Sequence, residues 1–463
     1  MIDLTTDRVG GSFRDPSGYV FKQNGTLYRH VALSYRENYD MLISSGLYQA
    51  LVKEELLVAH DEQPDKSDDA YKLLKPQVVE FISYPYEWCF SQLKDAALTT
   101  LLIQERALEH GMTLKDASSF NIQFVKGKPT LIDTLSFEKY ESGEPWVAYR
   151  QFCQHFLAPL ALMSAVDVRL NKMLLQSCID GVDLEIAAKL LPWKYRFNKG
   201  LFIHLFMHAG QINKYSNADV DTPATVRQFK MPKEVLQELI KDLARTVRGL
   251  TLKQSTSSQW SDYYGNTNYT DSATSAKESL VAEFIDLVKP ATVWDLGANI
   301  GNYSRIAVKH GARVISMDID ALCVERNYLR AVADKVKALL PIVIDLAAPT
   351  PAIGWNNDER LTLKERGPAD LLMALALVHH ICLGNNVPFG KLFDFLAEIG
   401  RLVIIEFVPK EDSQVKRMLA SRKDIFIEYD QMHFEAAFSK QFDMVRRESI
   451  SGTERTLYLL RRK

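Results

Sequence analysis

The chain has 463 residues, of which 47% are hydrophobic and 25% are charged, and its formal net charge at pH 7 is -2. This length exceeds one ordinary hydrophobic core, so we expect roughly two or three domains. The nearly neutral balance argues against sequence-independent nucleic-acid binding, which requires a basic face. The first residues lack the apolar segment of a secretory signal, and no run of about 18 apolar residues follows, so we expect a cytoplasmic protein without membrane partners.

The five cysteines are scattered and include no Cys-x-x-Cys pair. This spacing predicts neither a disulfide framework nor a zinc site. We therefore expect buried, reduced thiols and no metal bound by cysteine.

A constellation of polar residues marks the first half of the chain, within the stretch LKDASSFNIQFVKGKPTLIDTLSFE. Asp116 is followed by Asn121 and, after a short predicted hairpin, by Asp133. In phosphotransfer, one carboxylate orients the attacking hydroxyl while an Asn and a second Asp hold magnesium on the phosphates. The order of the three residues resembles that of protein kinase-like and aminoglycoside phosphotransferase-like folds. The resemblance implies an α+β domain over residues 1–230, with magnesium and ATP as its cofactors at these three positions.

The same half departs from that family in several places. Leu114 stands where a His is common, and Thr134–Leu135 replaces the Phe-Gly that follows the metal-binding Asp. The strand lysine that pairs with phosphates is not identifiable, and Lys22 and Arg29 are only candidate cations. Residues 10–18 (GGSFRDPSG) form a weak glycine loop. The alternatives are an active phosphotransferase, a degenerate module that binds nucleotide or substrate, and side chains that only cap a turn.

A polar, irregular region separates the two halves. Residues 211–232 lose the apolar period, and a helix is predicted from Lys233, where apolar residues recur on one face. The stretch that follows is polar and aromatic and reads either as a lid over a ligand or as a packed linker; its candidate lid residues are Trp260, Tyr263, Tyr264, Tyr269 and Lys277. We predict a domain at 1–230, a linker helix and lid segment at 231–275, and a second domain at 276–463.

The second half alternates predicted strands and helices with short connections. The predicted strands are 293–296, 313–317, 340–344, 370–375 and 402–407, and the predicted helices are 303–310, 322–337, 389–399 and 412–422. This alternation is typical of a doubly wound α/β sheet, whose ligands bind beyond the carboxyl ends of the strands. Two β-rich runs joined by SISGTE close the chain and predict an antiparallel hairpin at the edge of the sheet.

The turn VWDLGANIGNYS, residues 293–304, ends the first of these strands. Gly297, Asn299 and Gly301 do not form the Gly-x-Gly-x-x-Gly pattern of a dinucleotide loop, and no Gly-Lys-[Ser/Thr] follows for a phosphate loop. Asn299 tolerates a positive φ, so a tight turn remains possible without a glycine there. The amides that begin the next helix can receive a carboxylate, and Asp295 can meet a cationic amino group. The turn therefore predicts a ligand that carries an amino acid.

This turn resembles motif I of class I S-adenosylmethionine-dependent methyltransferases, and the resemblance extends over residues 256–463. It implies a Rossmann-like sheet of seven strands with S-adenosylmethionine as its cofactor. Asp318, in VISMDID, then takes the ribose hydroxyls. Asp345, in PIVIDLAAP, contacts the adenine amino group or, alternatively, caps its own loop.

Three further residues are candidates for catalysis. His379 and His380 end the fourth strand, where the family places residues that face the substrate, and Glu406 ends the fifth. Any of them could accept a proton from the nucleophile, although a buried, hydrogen-bonded histidine is an equal alternative. Because methyl transfer from a sulfonium is an in-line displacement, positioning and water exclusion supply much of the rate and a base is optional.

The order of the motifs resembles bacterial two-part proteins described as nodulation-protein-like methyltransferases. It implies a methyltransferase whose N-terminal half recruits or modifies an acceptor that the residues leave unidentified. The alternative is a phosphotransferase or nucleotide-sensing scaffold whose second half binds S-adenosylmethionine without turnover.

Overall fold

The computed structural model describes residues 8–64, 70–207, 230–252, 270–420 and 424–463. The chain divides into two compact units, Met1–Gln254 with Ala352–Arg360, and Ser255–Pro351 with Leu361–Lys463. The first unit thus includes a short segment from the middle of the second half. We call residues 352–360 the docked segment. Residues 208–229, which include most of the predicted irregular region, and residues 253–269, which include the aromatic part of the predicted lid, lie outside the described residues.

The first unit contains a four-stranded antiparallel sheet and two small strand pairs. Its strands are β1 Gly18–Gln23, β2 Thr26–Ala32, β3 His60–Gln63, β4 Ala70–Pro76, β5 Met112–Leu114, β6 Ile122–Val125, β7 Lys128–Leu131 and β8 Phe137–Lys139. The sheet has the order β1-β2-β4-β3, while β5 pairs with β8 and β6 with β7. The predicted hairpin between Asn121 and Asp133 is therefore present as β6 and β7.

Helices supply most of the core of the first unit. The α-helices are Arg36–Ser44, Leu47–Lys53, Phe90–Glu109, Tyr149–Phe152, Ala158–Ala165, Leu170–Leu175, Leu184–Leu190, Lys199–Leu201 and Lys233–Gly249, with π-helical turns at Cys153–Leu157 and Phe202–Met207. Short 3-10 helices lie at Leu33–Tyr35, Pro85–Glu87, Ser119–Asn121, Trp193–Phe197 and Trp355–Asn357. The helix predicted from Lys233 is confirmed, and its buried face holds Leu236, Ile240, Leu243 and Val247. It belongs to the first unit instead of standing apart as a linker.

The second unit is built on one seven-stranded sheet. Its strands are β9 Thr292–Leu296, β10 Arg313–Asp318, β11 Leu339–Val343, β12 Ala369–Ala374, β13 Gly400–Phe407, β14 Phe442–Ser449 and β15 Thr456–Arg462. They follow the order β11-β10-β9-β12-β13-β15-β14. The first five are parallel, and β15 pairs antiparallel with both β13 and β14. The doubly wound sheet and the antiparallel hairpin are confirmed.

Helices on both faces of this sheet complete the second unit. They are Asp271–Val288, Asn302–Lys309, Ala321–Ala333, Phe389–Ile399, Ser413–Leu419 and Gln431–Phe438, with a 3-10 helix at Lys364–Arg366 and a π-helical turn at His380–Gly384. The helix predicted at 322–337 ends earlier, because Lys335 has a φ of 54° that an α-helix does not allow. The central strand β9 is buried from Val293 to Leu296, so its carboxyl end presents the turn that follows at the middle of the sheet edge.

Candidate functional site

The turn after β9 has the backbone that its residues predict. Gly297, Asn299 and Gly301 all have positive φ, at 73°, 51° and 74°. The amides of Gly297 and Ala298 donate to the carbonyl of Met317 on β10, each at 2.9 Å. The turn is thereby fixed against the neighbouring strand before the helix Asn302–Lys309 begins.

Asp318 ends β10 and holds the same turn through its side chain. Its Oδ2 accepts a hydrogen bond from the Asn299 amide at 2.7 Å, and its Oδ1 accepts one from the Asp320 amide at 2.8 Å. Burial raises the pKa of Asp318 to about 6. The carboxylate keeps lone pairs for further donors, because a carboxylate offers about four acceptor positions.

Gly301 lies where no larger residue fits. A Cβ built on it would stand 2.5 Å from the side-chain amide of Asn327. Arg305 Nη1 donates to the carbonyls of Ile300 and Gly301, each at 3.0 Å, and to Asn327 Oδ1 at 2.8 Å. Arg305 and Asn327 thus stabilise the turn through these contacts. No local sequence pattern marks these two residues, since each lies on a separate helix and they meet only in the folded chain.

Asp295 lies beneath the turn. It is 2% exposed, and its Oδ2 accepts a hydrogen bond from Ser304 Oγ at 2.5 Å. Burial raises the pKa of Asp295 to about 7, and the negative charge of Asp318 adds to the effect. The carboxylate that we expected to bind an amino group thus binds the hydroxyl of Ser304, in the first turn of the next helix.

Asp345 follows β11 at the same edge of the sheet. The residue is partly exposed, and its Oδ1 accepts a hydrogen bond from the Ala347 amide at 2.9 Å. The Ile344 amide donates to the Asp318 carbonyl at 2.9 Å, which ties this turn to the end of β10. Asp345 therefore caps its own loop, as the alternative interpretation predicts, and remains accessible at the edge.

His379 and His380 follow β12. Their ring centroids are 4.2 Å apart. His379 is fully buried, and neither of its ring nitrogens has a hydrogen-bond partner among the described residues. Burial lowers the pKa of His380 to about 4 and that of His379 well below its ordinary value. Both rings are therefore neutral at pH 7.

Glu406, at the end of β13, lies in a buried ionic cluster. Its Oε2 is 2.6 Å from Lys277 Nζ and accepts the Ala376 amide at 2.7 Å, and its Oε1 is 3.1 Å from Arg455 Nη1. Arg455 Nε also contacts Asp412 at 2.9 Å. A carboxylate held by two cations is a poor proton acceptor. These contacts disfavour the role of base predicted for Glu406 and favour one in positioning the loop that carries the two histidines.

Lys277 has a different environment from the one that the lid interpretation predicts. It lies on the helix Asp271–Val288 and is buried in the ionic cluster. Burial lowers its pKa, although the negative charge of Glu406 opposes this effect. The sequence does not identify Lys277 and Arg455 as partners of Glu406. A lysine or an arginine near the end of a domain has no local pattern that predicts a distant ion pair.

In the first unit, the three phosphotransfer candidates lie together. Asp116 accepts hydrogen bonds from the Ser118 amide at 2.9 Å and from the side chain of Asn121. Asn121 Nδ2 lies 3.5 Å from Ser136 Oγ, which donates to Asp133 Oδ2 at 2.8 Å. Burial raises the pKa of Asp116. The geometry thus brings together the residues that the sequence separates by as many as 17 positions, from Asp116 to Asp133 (133 minus 116).

A cation already neutralises one member of this group. Arg29 Nη2, on β2, lies 2.6 Å from Asp133 Oδ1. Its guanidinium pairs with the carboxylate that the phosphotransfer interpretation assigns to magnesium. No cluster of three or more His, Cys, Asp or Glu side chains within the described ranges could hold a metal.

Comparison with known proteins gives one extensive relative. The nodulation protein NoeA of Rhizobium meliloti (strain 1021) is 35% identical over 462 residues, which cover 98% of this chain and 96% of the relative. No protein-family model matches the chain. None of the described helices has the length and hydropathy needed to cross a bilayer.

Three similar solved structures each cover less than half of the chain. The methyltransferase ChlM from Synechocystis PCC 6803, crystallised with S-adenosylhomocysteine, is 17% identical and covers 44% of this chain and 93% of its own, with a TM-score of 0.32. NodS from Bradyrhizobium japonicum WM9 is 9% identical over 42% of this chain and 97% of its own, with a TM-score of 0.32. The kinase-methyltransferase WbdD is 18% identical over 43% and 41% of the two chains, with a TM-score of 0.30. The family assignment rests on the relative at 35% identity.

Proposed function

The chain belongs to the family of the nodulation protein NoeA, and we propose that it is an S-adenosylmethionine-dependent methyltransferase whose second unit binds the cofactor. One observation carries the proposal. The tight turn after the central strand of a doubly wound sheet is bonded, through Asn299, to the acidic residue that ends the next strand. This arrangement would bring the amino-acid and nucleoside ends of one ligand to the place where such sheets bind ligands.

The residues present fit this cofactor. Gly297, Asn299 and Gly301 give the turn its positive φ angles, and the amides that begin the helix Asn302–Lys309 suit a carboxylate. Asp318 would accept hydrogen bonds from the ribose hydroxyls, and Asp345 would accept one from the adenine amino group. Asp295 would supply negative charge beneath the methionine amino group instead of a direct contact.

The bound cofactor would supply a methyl group on a positively charged sulfur. Because His379 and His380 are neutral at pH 7 and have depressed pKa values, we assign them to orienting the acceptor and excluding water, with little proton transfer. Glu406 would keep their loop in place by accepting the Ala376 amide. The acceptor would then be a group that releases its proton without a strong base.

For the first unit we propose a kinase-like α+β domain that recruits or modifies the acceptor. The second candidate function, phosphotransfer or nucleotide sensing, is favoured by the hydrogen-bonded chain from Asp116 through Asn121 and Ser136 to Asp133. It is disfavoured by the ion pair between Arg29 and Asp133. Magnesium and ATP would have to displace that guanidinium before they bind.

Titration calorimetry with S-adenosylmethionine and S-adenosylhomocysteine tests the methyltransferase proposal. We expect both to bind, and Asp318→Ala to weaken binding by about 10- to 100-fold, because it removes charged hydrogen bonds of about 1.5–3 kcal/mol. Asp334→Ala is the matched control, since this carboxylate is exposed and pairs with Arg330 of the helix that ends just before it. Failure of the wild type to bind either ligand would overturn the proposal.

The same instrument tests the second candidate. Tight binding of magnesium ATP that is lost in Asp133→Ala, in a chain that does not bind S-adenosylmethionine, would favour phosphotransfer. Absence of magnesium ATP binding would leave the first unit as a recruiting domain.

A further inference from the structure

The docked segment, residues 352–360, belongs to the first unit although its neighbours in sequence belong to the second. It is a short hairpin in which Ile353 and Arg360 form an antiparallel bridge. The Trp355 amide donates to Glu359 Oε1 at 2.6 Å, and the Glu359 amide donates to the Ile353 carbonyl at 3.1 Å. The segment therefore has a defined shape, and its contacts within the first unit identify the surface that it covers.

Part of the segment lies against the glycine loop, residues 10–18. A Cβ built on Gly10 would lie 2.0 Å from the Asp358 carbonyl oxygen. One built on Gly11 would lie 2.7 Å from the Glu359 carbonyl oxygen. The backbone of the segment thus fills the space that the two glycines leave. In a phosphate loop this space belongs to the phosphates, because glycine lets another group approach the backbone closely.

Acidic side chains of the segment also lie at this loop. Arg14 Nη2 lies 2.6 Å from Glu359 Oε1, and Arg14 Nε lies 2.9 Å from Oε2. The Glu359 side chain is 1% exposed, and the Arg14 hydrogen bond lowers the Glu359 pKa. A Cβ on Gly10 would lie 2.8 Å from Asp358 Oδ2. Because a guanidinium fork binds carboxylate and phosphate alike, the segment offers this loop the kind of charge that a nucleotide offers.

Arg360 lies against an aromatic surface next to Asn121. Its guanidinium carbon lies 4.3 Å from the centroid of the Phe120 ring. The rings of Tyr84 and Tyr86 lie beside that of Phe120, with centroids 6.5 and 6.3 Å from its own. All three rings are buried, and burial lowers the pKa of Arg360. A planar cation thus covers aromatic side chains on which a nucleobase could stack instead.

The docked segment therefore contacts both structures that the phosphotransfer interpretation assigns to a nucleotide. These are the glycine loop and the loop from Asp116 to Asn121. A nucleotide between them needs room for its phosphates at the first and for its base at an aromatic surface. The segment places carboxylates at the first and a planar guanidinium at the aromatic surface, so it and a nucleotide cannot be bound together.

We propose that residues 352–360 occupy the nucleotide site of the first unit as a ligand that the chain itself carries. A magnesium nucleotide binds there only after Glu359 has left Arg14 and Arg360 has left Phe120. The proposal rests on the kinase-like interpretation of the first unit, and it adds a reason why this unit is closed to nucleotides. The residues that carry it all belong to the first unit.

Calorimetry with magnesium ATP and the full chain tests the proposal. The variants change the segment and leave the surface that receives it intact. Glu359→Ala and Arg360→Ala should each raise the affinity for magnesium ATP by about tenfold, because the apparent affinity follows the fraction of chains in which the segment is undocked. The double variant should bind more tightly than either. Glu359→Gln should stay close to the wild type, since its amide oxygen still accepts a hydrogen bond from Arg14.

Glu185→Ala is the matched control. Its ion pair with Lys189 has the same 2.6 Å distance as that of Glu359 with Arg14, and it lies on the helix Leu184–Leu190 of the first unit. Its loss should leave the affinity for magnesium ATP unchanged. Circular dichroism checks that each variant is folded, and the single variants decide the matter where the double variant does not fold.

Hydrogen exchange supplies a second measurement, in Arg360→Ala. Magnesium ATP should speed the exchange of amides in residues 352–360, because the hairpin leaves its surface when the nucleotide binds. The hairpin of β6 and β7 should keep its protection and serves as the internal control. A nucleotide that binds while residues 352–360 stay protected lies elsewhere, and the proposal is then overturned.

Two outcomes of the calorimetry separate the proposal from the interpretation on which it rests. Equal affinity for magnesium ATP in the wild type, Glu359→Ala and Arg360→Ala would overturn the proposal and leave the first unit with a nucleotide site. Absence of binding in all the folded variants would remove that site, and with it both the proposal and the kinase-like interpretation.

Discussion

Asp295 and Asp318 end neighbouring strands, and both keep protons to unusually high pH. Their pKa values are about 7 and about 6 because burial disfavours the charged form. Each carboxylate is bonded to the turn that we propose holds the cofactor. The stability of the free protein should therefore depend on pH through residues that serve binding.

Asp295→Asn tests this dependence. The folded pKa of about 7 exceeds the unfolded value of about 3.9, so the folded chain keeps a proton that the unfolded chain has lost, and stability falls as pH rises between these values. The substitution should raise the free energy of unfolding at pH 8 by up to about 4 kcal/mol and leave it nearly unchanged at pH 4.

Urea unfolding at the two pH values measures the difference. Asp443→Asn is the control, because Asp443 is 71% exposed and should give no gain at either pH. An equal gain in the free energy of unfolding at pH 4 and pH 8 for Asp295→Asn would contradict the raised pKa of Asp295 in the folded protein.

At the scale of elements, the ionic cluster of Glu406 joins a helix, a strand and the hairpin that ends the chain. Lys277 comes from the helix Asp271–Val288, and Arg455 precedes β15. Their side chains are 4% and 3% exposed. Removal of one partner from such a cluster leaves a buried charge without compensation.

Arg455→Met should therefore lower the free energy of unfolding by about 3–5 kcal/mol. Arg446→Met is the matched control: its ion pair with Glu283 has the same 2.6 Å distance as the Lys277 pair but is exposed, so its loss should cost less than about 1 kcal/mol. Urea titration followed by circular dichroism measures both. A cost for Arg455→Met no larger than that of its control would contradict the structural role of the cluster.

Most elements of the second unit follow from local pattern. Buried runs predict the five parallel strands, and Pro388 and Gly400 bound the helix Phe389–Ile399, whose limits are confirmed. The partners of Glu406 could not be predicted, because an ion pair between residues 129 positions apart, Lys277 and Glu406 (406 minus 277), leaves no periodicity. The same holds for Arg305 and Asn327 beneath the turn.

At the scale of the molecule, the chain consists of two compact units. A ligand that binds one unit can therefore stabilise that unit without stabilising the other. Saturation with S-adenosylmethionine at about 100 times its Kd should add about 2.7 kcal/mol to the unit that binds it. We expect two thermal transitions in calorimetry, of which only one moves upward.

The control for this experiment is Asp318→Ala, which should lose most of the shift at the same ligand concentration. Magnesium ATP should move neither transition. A shift of both transitions by S-adenosylmethionine would contradict the assignment of the cofactor to the second unit.

The sequence could not reveal the docked segment, although it marked the residues that receive it. Gly10 and Gly11 are required because a Cβ at either position would collide with the segment's carbonyl oxygens. A phosphate loop imposes the same requirement, since it too brings another group close to the backbone. A glycine pair alone therefore does not distinguish the two uses.

The place of residues 352–360 in chain order also bears on how the protein is made. Synthesis proceeds from the N-terminus, and a domain that is continuous in sequence can fold as soon as it emerges. Here the contacts of Gly10, Arg14 and Phe120 with the segment cannot form until the ribosome has passed Arg360. These contacts therefore form only after three strands of the second unit, β9, β10 and β11, have been translated.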